Sequence, residues 1–273
     1  MTTSSINVFV AGGTSGINLA IAESFAAAGA NVGVLSRDRE KVDSAVERLG
    51  SLNGRRAAGW PADVREFEQV KAALSGFHAR FGAIDVLISG AAGNFRAPAL
   101  GMSPKGFRTV IDIDLIGTFH VLYAAHGFLR KPGASIINIS ASQAYVPMMM
   151  QSHVCAAKAG IDMLTRTLAM EWAGDGIRIN SIAPGPVSDT EGMVRLAPTP
   201  QATKELTEIV PLGRWTRKEE IAAVAQFLAS PASAMVTGQV IPVDGGLNLG
   251  RYSPKLVAEA EAMVQASKAK ACS

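Results

Sequence analysis

The sequence predicts an α/β fold in which a parallel sheet is covered on both faces by helices, a doubly wound arrangement. Three observations predict it. Short β-branched runs recur along the chain, longer amphipathic stretches separate them, and the runs are apolar on both faces, as strands buried between two helical layers must be. The runs lie at residues 6–10, 31–35, 84–88, 135–139 and 177–182, with 239–243 near the end. Helical periodicity covers 17–28, 39–49, 65–81, 106–129, 154–172 and 219–228. Two stretches break the rhythm. Residues 184–211, rich in Pro, Gly and Thr, read as a lid over a ligand, while the Ala- and Lys-rich tail 247–273 suits a terminal helix or a frayed end equally. No repeat or linker interrupts the pattern, so one domain over 1–273 is expected.

A chain of 273 residues with 48% hydrophobic content is long enough for one large core. Its 26 Lys and Arg against 23 Asp and Glu leave a net charge of +3, too small to imply a nucleic-acid surface. Cys155 and Cys272 have neither metal-ligand spacing nor the numbers of a secreted disulfide framework, so reduced thiols in a cytoplasm are expected. The polar stretch from Met1 to Ser5 lacks the basic and apolar regions of a signal peptide, and no apolar run reaches membrane-spanning length. Ala271, Cys272 and Ser273 do not form a peroxisomal tripeptide of the Ser-Lys-Leu kind.

The first strand runs into Ala11-Gly12-Gly13-Thr14-Ser15-Gly16-Ile17-Asn18 and then an apolar helix. Glycine permits positive φ and close backbone approach, and a helix N-terminus offers free N–H groups to a pyrophosphate. The alternative for glycines alone is a tight strand-to-helix turn. The position of this cluster, opening the first helix of a βαβ unit, favours dinucleotide binding by Gly12, Thr14, Ser15, Gly16 and Ile17. The second strand ends at Leu35-Ser36-Arg37, without the acidic residue that binds the ribose hydroxyls of NAD. A hydroxyl and a guanidinium at Ser36 and Arg37 suit a 2′-phosphate, so NADPH is expected over NADH. The other reading of Arg37 is an ordinary solvated charge.

With these segments in order the chain resembles a short-chain dehydrogenase/reductase along essentially its whole length. Asp63-Val64 after the third strand, Ala91-Ala92-Gly93 after the fourth, Asn138-Ile139-Ser140 at the fifth, Lys158 and Pro184-Gly185 complete the match. The resemblance implies a Rossmann fold with a parallel seven-stranded sheet and a homotetramer built on residues 106–129 and 154–172. It also implies roles: Asp63 and Val64 beside the adenine, Ala91 against the cofactor, Lys158 on the nicotinamide ribose, and Pro184, Gly185, Val187 and Thr190 around the carboxamide and phosphates. One departure is Asn18, where the family's glycine pattern ends in glycine, and a small packing adjustment is expected there. The catalytic positions depart further. The family's tyrosine falls on Val154, its serine on Ala141 and its asparagine on Asp114, so the phenol and hydroxyl of a ketone reductase are absent.

The segments Ala91-Ala92-Gly93-Asn94-Phe95, Asp112-Ile113-Asp114 with Gly117-Thr118-Phe119, and Ala183-Pro184-Gly185-Pro186-Val187-Ser188-Asp189-Thr190-Glu191-Gly192 are similar to 2,4-dienoyl-CoA reductases, particularly the peroxisomal type. That subfamily also lacks the tyrosine. The resemblance implies catalysis by Asp114 and Lys158, and contacts of Arg37, Arg65, Phe95, Ser103 and Arg195 with the cofactor phosphate or an acyl-CoA. Reduction of a dienoyl thioester passes through a dienolate, which needs cationic stabilisation and a later proton at carbon, and no phenol. Lys158 supplies the charge in this reading, with Asp114 ordering the water that delivers the proton.

Tyr145, two residues from the position of the mitochondrial type's catalytic tyrosine, reads as a substrate contact or as a packing residue. His153 and Cys155 read more simply as a loop histidine and a small buried thiol than as catalytic groups, and Met148-Met149-Met150 as core or as an acyl-chain wall. Two rival functions stand beside the dienoyl reading: a ketone or 3-oxoacyl thioester reductase, and a catalytically inactive NADP-binding protein.

Overall fold

The strands divide their side chains between two cores. In β1 (Asn7–Ala11), Val8 and Val10 point into one cluster, and Phe9 and Ala11 into the other. The computed structural model describes residues 5–54, 56–250 and 252–271, apart from the side chains of 195, 196 and 265–271. With β2 (Asn31–Ser36), β3 (Ala57–Pro61), β4 (Val86–Ser89), β5 (Ser135–Ile139), β6 (Arg178–Pro184) and β7 (Val240–Val243), the strands form one parallel sheet in the order β3-β2-β1-β4-β5-β6-β7. The order reverses between β1 and β4. In doubly wound sheets the ligand crevice opens outside the strand ends at that reversal.

The helices are α1 (Gly16–Ala27), α2 (Arg39–Asn53), α3 (Phe67–Phe81), α4 (Pro104–Val110), α5 (Gly117–Ala125), α6 (Ser152–Glu171), α7 (Glu191–Leu196), α8 (Pro200–Glu208), α9 (Lys218–Ala229) and α10 (Pro254–Ala271). Ile21 of α1, Val42 and Leu49 of α2, and Ile221 and Leu228 of α9 close the first core. Leu74 and Phe77 of α3, Val121 and Leu122 of α5, and Leu168 of α6 close the second. The expected seven-stranded Rossmann sheet with helices on both faces is therefore the observed fold.

Three local differences from the sequence reading have physical reasons. The third strand, Ala-Ala-Gly-Trp-Pro, carries no β-branched residue and gave no strand signal. It is held by pairing with β2 and by Gly59, where a Cβ would stand 2.3 Å from Val42 Cγ1. The stretch 106–129 is not one regular helix. Residues 111–116 between α4 and α5 form a wide π-helical turn, and Thr118 Oγ1, at the start of α5, donates to the Asp114 carbonyl at 2.6 Å. The segment 184–211 holds two short helices, begun by the capping hydroxyls of Thr190 and Thr199. The tail is helical in α10, with Leu256, Val257, Met263 and Val264 exposed.

At the start of α9 the Glu220 carboxylate accepts the Arg217 N–H at 2.8 Å and pairs with the Arg214 guanidinium at 2.6 Å. The Arg214 hydrogen bond, then the Arg217 N–H, lower its pKa from 4.5 to about 2. A lowered carboxylate pKa adds stability above the unfolded value, and that stability is lost as pH falls through the folded value. We therefore expect Glu220→Gln to lower the urea midpoint above pH 4.5, with the gap to the parent closing by about pH 2.

Candidate active site

The turn after β1 is built for close backbone approach. Gly12 has φ 79°, its N–H donates to the Leu35 carbonyl at 2.8 Å, and a Cβ on it would lie 2.8 Å from both Cα and N of Ala91. Ser15 precedes α1 without capping it, and the first turn carries no acidic residue, so the helix's partial positive charge is not neutralised from within. Asn18 ties this turn to its neighbour: Nδ2 donates to the Gly90 carbonyl at 2.7 Å and the Gly12 carbonyl at 3.3 Å. The expected small adjustment at this position is thus a pair of hydrogen bonds.

A cavity of about 800 Å³ lies over the ends of β1, β2 and β4. Gly12, Thr14 and Ser15 are among the residues that line it, as are Ser36 and Arg37, and Asp63, Val64 and Ala91. A glycine cradle at an uncapped helix start, with hydroxyl and guanidinium groups beyond it, fits the diphosphate and the phosphorylated ribose of a dinucleotide. Asp63 accepts from the Arg65 side chain at 2.6 Å, and this bond holds its carboxyl below the usual range despite partial burial. Arg65 is thereby paired with Asp63, and it lines neither this cavity nor the next.

A second cavity, of about 680 Å³, adjoins the first and shares Ser15, Asn18 and Gly90 with it. Gly16, Ile17, Pro184, Gly185 and Thr190 line it, as does Lys158. Val187 is buried just outside, paired with Thr216. Lys158 Nζ donates to the Ile139 carbonyl at 3.0 Å and stands 3.4 Å from Asp114 Oδ2. Asp114 Oδ1 accepts the Gly93 N–H at 2.7 Å. The carboxyl is 1% exposed and lies behind Lys158, outside the cavity wall. Burial raises its pKa, opposed by the Lys158 charge and the Gly93 N–H.

Ala141 lines this cavity with no hydroxyl, and Val154 packs with Val110 and Ala157 in a small apolar cluster. The wall carries instead a chain of amides that the sequence reading missed. Ser142 donates to Gln143 Oε1 at 3.2 Å, and Gln143 Nε2 donates at 2.9 Å to Gln151, which is buried. Arg96, Met148 and Met149 complete this side. Two non-glycine residues with left-handed backbone border it, Met150 at φ 65° and Asp189 at φ 57°.

Other singled-out residues lie elsewhere. Ser103 caps α4 by accepting the Gly106 N–H at 3.0 Å. The Phe95 ring packs on His153 with centroids 4.4 Å apart. The Tyr145 phenol accepts from Asn248 at 3.4 Å, and burial, then Asp244 and Asp162, push its pKa up. None of the three lines a cavity described above. The Arg195 side chain and Cys272 lie outside the described residues.

A family profile described as enoyl-(acyl carrier protein) reductase matches residues 11–248. The chain belongs to the short-chain dehydrogenase/reductase family. As a short-chain dehydrogenase/reductase it is an oxidoreductase that uses a nicotinamide cofactor. It is 41% identical to the peroxisomal 2,4-dienoyl-CoA reductase [(3E)-enoyl-CoA-producing] of Arabidopsis thaliana over 272 residues, 95% of this chain and 89% of that one. The protein of that name from Danio rerio is 42% identical over 87% of this chain and 80% of its own. Among solved structures, a gluconate 5-dehydrogenase from Burkholderia cenocepacia in complex with NADP and tartrate superposes with a TM-score of 0.84. It is 34% identical, with 90% of this chain and 96% of that chain covered.

Proposed function

We propose that this short-chain dehydrogenase/reductase reduces a 2,4-dienoyl-CoA to an enoyl-CoA with NADPH, in the degradation of unsaturated fatty acyl chains. The observation that carries the reading is the buried Lys158–Asp114 pair beside positions 141 and 154, where alanine and valine stand in place of a hydroxyl and a phenol. The names of relatives at 41% and 42% identity support the substrate class. When bound, NADPH supplies a hydride equivalent at carbon 5 of the dienoyl chain, leaving an anion delocalised to the thioester oxygen. Protonation at carbon 2 then leaves the double bond between carbons 3 and 4. The Lys158 ammonium has three N–H groups. One is taken by the Ile139 carbonyl and one faces Asp114, so the third is free for a nicotinamide ribose hydroxyl while the charge stabilises the thioester anion. Asp114 holds Lys158 from behind, and the pair orders the water that protonates carbon 2. Met148 and Met149 offer an adaptable wall to the acyl chain.

The assay is loss of reduced-nicotinamide absorbance with a 2,4-dienoyl-CoA against a 3-oxoacyl-CoA. Turnover of the dienoyl thioester alone is expected. Turnover of the 3-oxoacyl thioester alone would make the chain a ketone reductase, and tight NADPH binding with no turnover would make it a binding protein.

The preference for NADPH rests on Ser36 and Arg37 in the first cavity. A charge-assisted bond to phosphate is worth about 1.5–3 kcal/mol. Arg37→Ala should therefore raise the Kd for NADPH about 10–100-fold and leave that for NADH nearly unchanged, as read by fluorescence titration.

A homotetramer through α5 and α6 is supported by the exposed Phe119, Tyr123, Met163 and Met170 on those helices. Sedimentation velocity tests it. The cytoplasmic address rests on the thiol reading, whereas both relatives are named peroxisomal, and cell fractionation separates the two. Among the described residues no helix is long and apolar enough to cross a membrane.

A further inference from the structure

His153 is buried to 0% exposure, and neither ring nitrogen has a hydrogen-bond partner. A neutral imidazole keeps one N–H donor and one acceptor in either tautomer, so leaving both unmet in the interior is costly. Such a group in a native fold calls for an explanation. The ring lies under the loop that also grips Asp114, since Phe95 packs on it while Gly93 donates to Asp114 Oδ1. The next residue, Val154, packs in a cluster with Val110, against which Ile111 lies, where the turn carrying Asp114 begins. The remaining oxygen of that carboxyl, Oδ2, faces Lys158 at 3.4 Å without a hydrogen bond. One buried region thus holds an imidazole with no hydrogen bond and a carboxylate oxygen whose partner is the Lys158 charge.

We propose that His153 is the positioning residue of Asp114, donating a hydrogen bond that reaches Oδ2 through a bridging water. The charged groups that act on Asp114 are Lys158 and His153, and Asp114 is the one that acts on His153. Burial lowers the imidazole pKa, opposed by the Phe95 backbone and the Asp114 charge, so at neutral pH it acts as a neutral donor. Through that water its N–H then joins that of Gly93 in keeping the buried carboxyl ionised, and an ionised Asp114 keeps Lys158 in place. The catalytic consequence rests on the dienoyl-CoA reading, whereas the bridge between the two side chains does not.

The test has two arms. Histidine-selective ¹⁵N spectra of the full chain, with His153→Phe used for assignment among the four histidines, should show one neutral tautomer for His153. Its N–H resonance should shift in Asp114→Asn, with and without NADP. In the second arm, His153→Phe keeps the packing on Phe95 and removes the donor. The acid limb of kcat should rise by about one pH unit, with turnover lost at low pH and retained at high pH and KM unchanged. His153→Asn, which keeps an N–H, should restore the parent limb. An unmoved His153 resonance in Asp114→Asn overturns the proposal, as does an unmoved limb in a folded His153→Phe. If the parent chain turned over no dienoyl-CoA, the substrate reading would fail and the spectra alone would decide.

Discussion

Lys158→Met is expected to lower kcat/KM for a dienoyl-CoA by at least about 10³-fold, because it removes the cation placed at the developing negative charge. The same substitution strands Asp114. Removing one partner of a buried pair costs about 3–5 kcal/mol when the other stays charged. Burial already pushes Asp114 toward its protonated form, which places the cost at the lower end of that range. Asp114→Asn in the Lys158→Met background should recover most of the stability and none of the turnover. Urea unfolding and steady-state kinetics on the same preparations check both halves. Recovered stability with recovered activity would remove Lys158 from the chemistry.

Gly12→Val is expected to unfold the cofactor turn. The added Cβ meets backbone atoms of Ala91 at 2.8 Å, which no rotamer change relieves, and φ 79° is unfavourable for a β-branched residue. Together these should cost roughly 2–4 kcal/mol, and NADPH should no longer raise the melting temperature. Gly16→Ala is the control. Its φ of 56° is similar, but nothing lies within 4 Å of an added Cβ, so only the backbone strain is felt. Thermal melts with and without NADPH separate overlap from strain.

Most strands were legible because β-branched residues mark them, as in the runs of β1, β5 and β6. β3 was not, because an edge strand can be held by its neighbour's backbone and by a glycine that admits a valine from the covering helix. The π-helical turn at 111–116 was hidden because apolar periodicity in 106–129 is nearly the same for a regular helix. The register is set by tertiary contacts: Asp114 turned inward to Lys158, and Gly117 pressed against Val64, where a Cβ would lie 2.7 Å from Cγ2. In the candidate site, the glycine turn was readable from its place between the first strand and the first helix, and Lys158 and Asp114 only through the family resemblance. Arg96, Gln143 and Gln151 were not, since polar residues on a loop carry no local pattern, and only the fold brings them to one wall.

Asn18 bears on what cofactor binding costs. A glycine at that position would leave the Gly12 turn and the Gly90 strand end joined by backbone bonding alone, the Gly90 N–H donated to the Ala11 carbonyl at 3.1 Å. The Asn18 amide bonds both carbonyls and so sets the floor of the proposed cofactor site within the protein itself. The ordering entropy of that floor is then spent during folding, and binding keeps more of its contact energy as affinity.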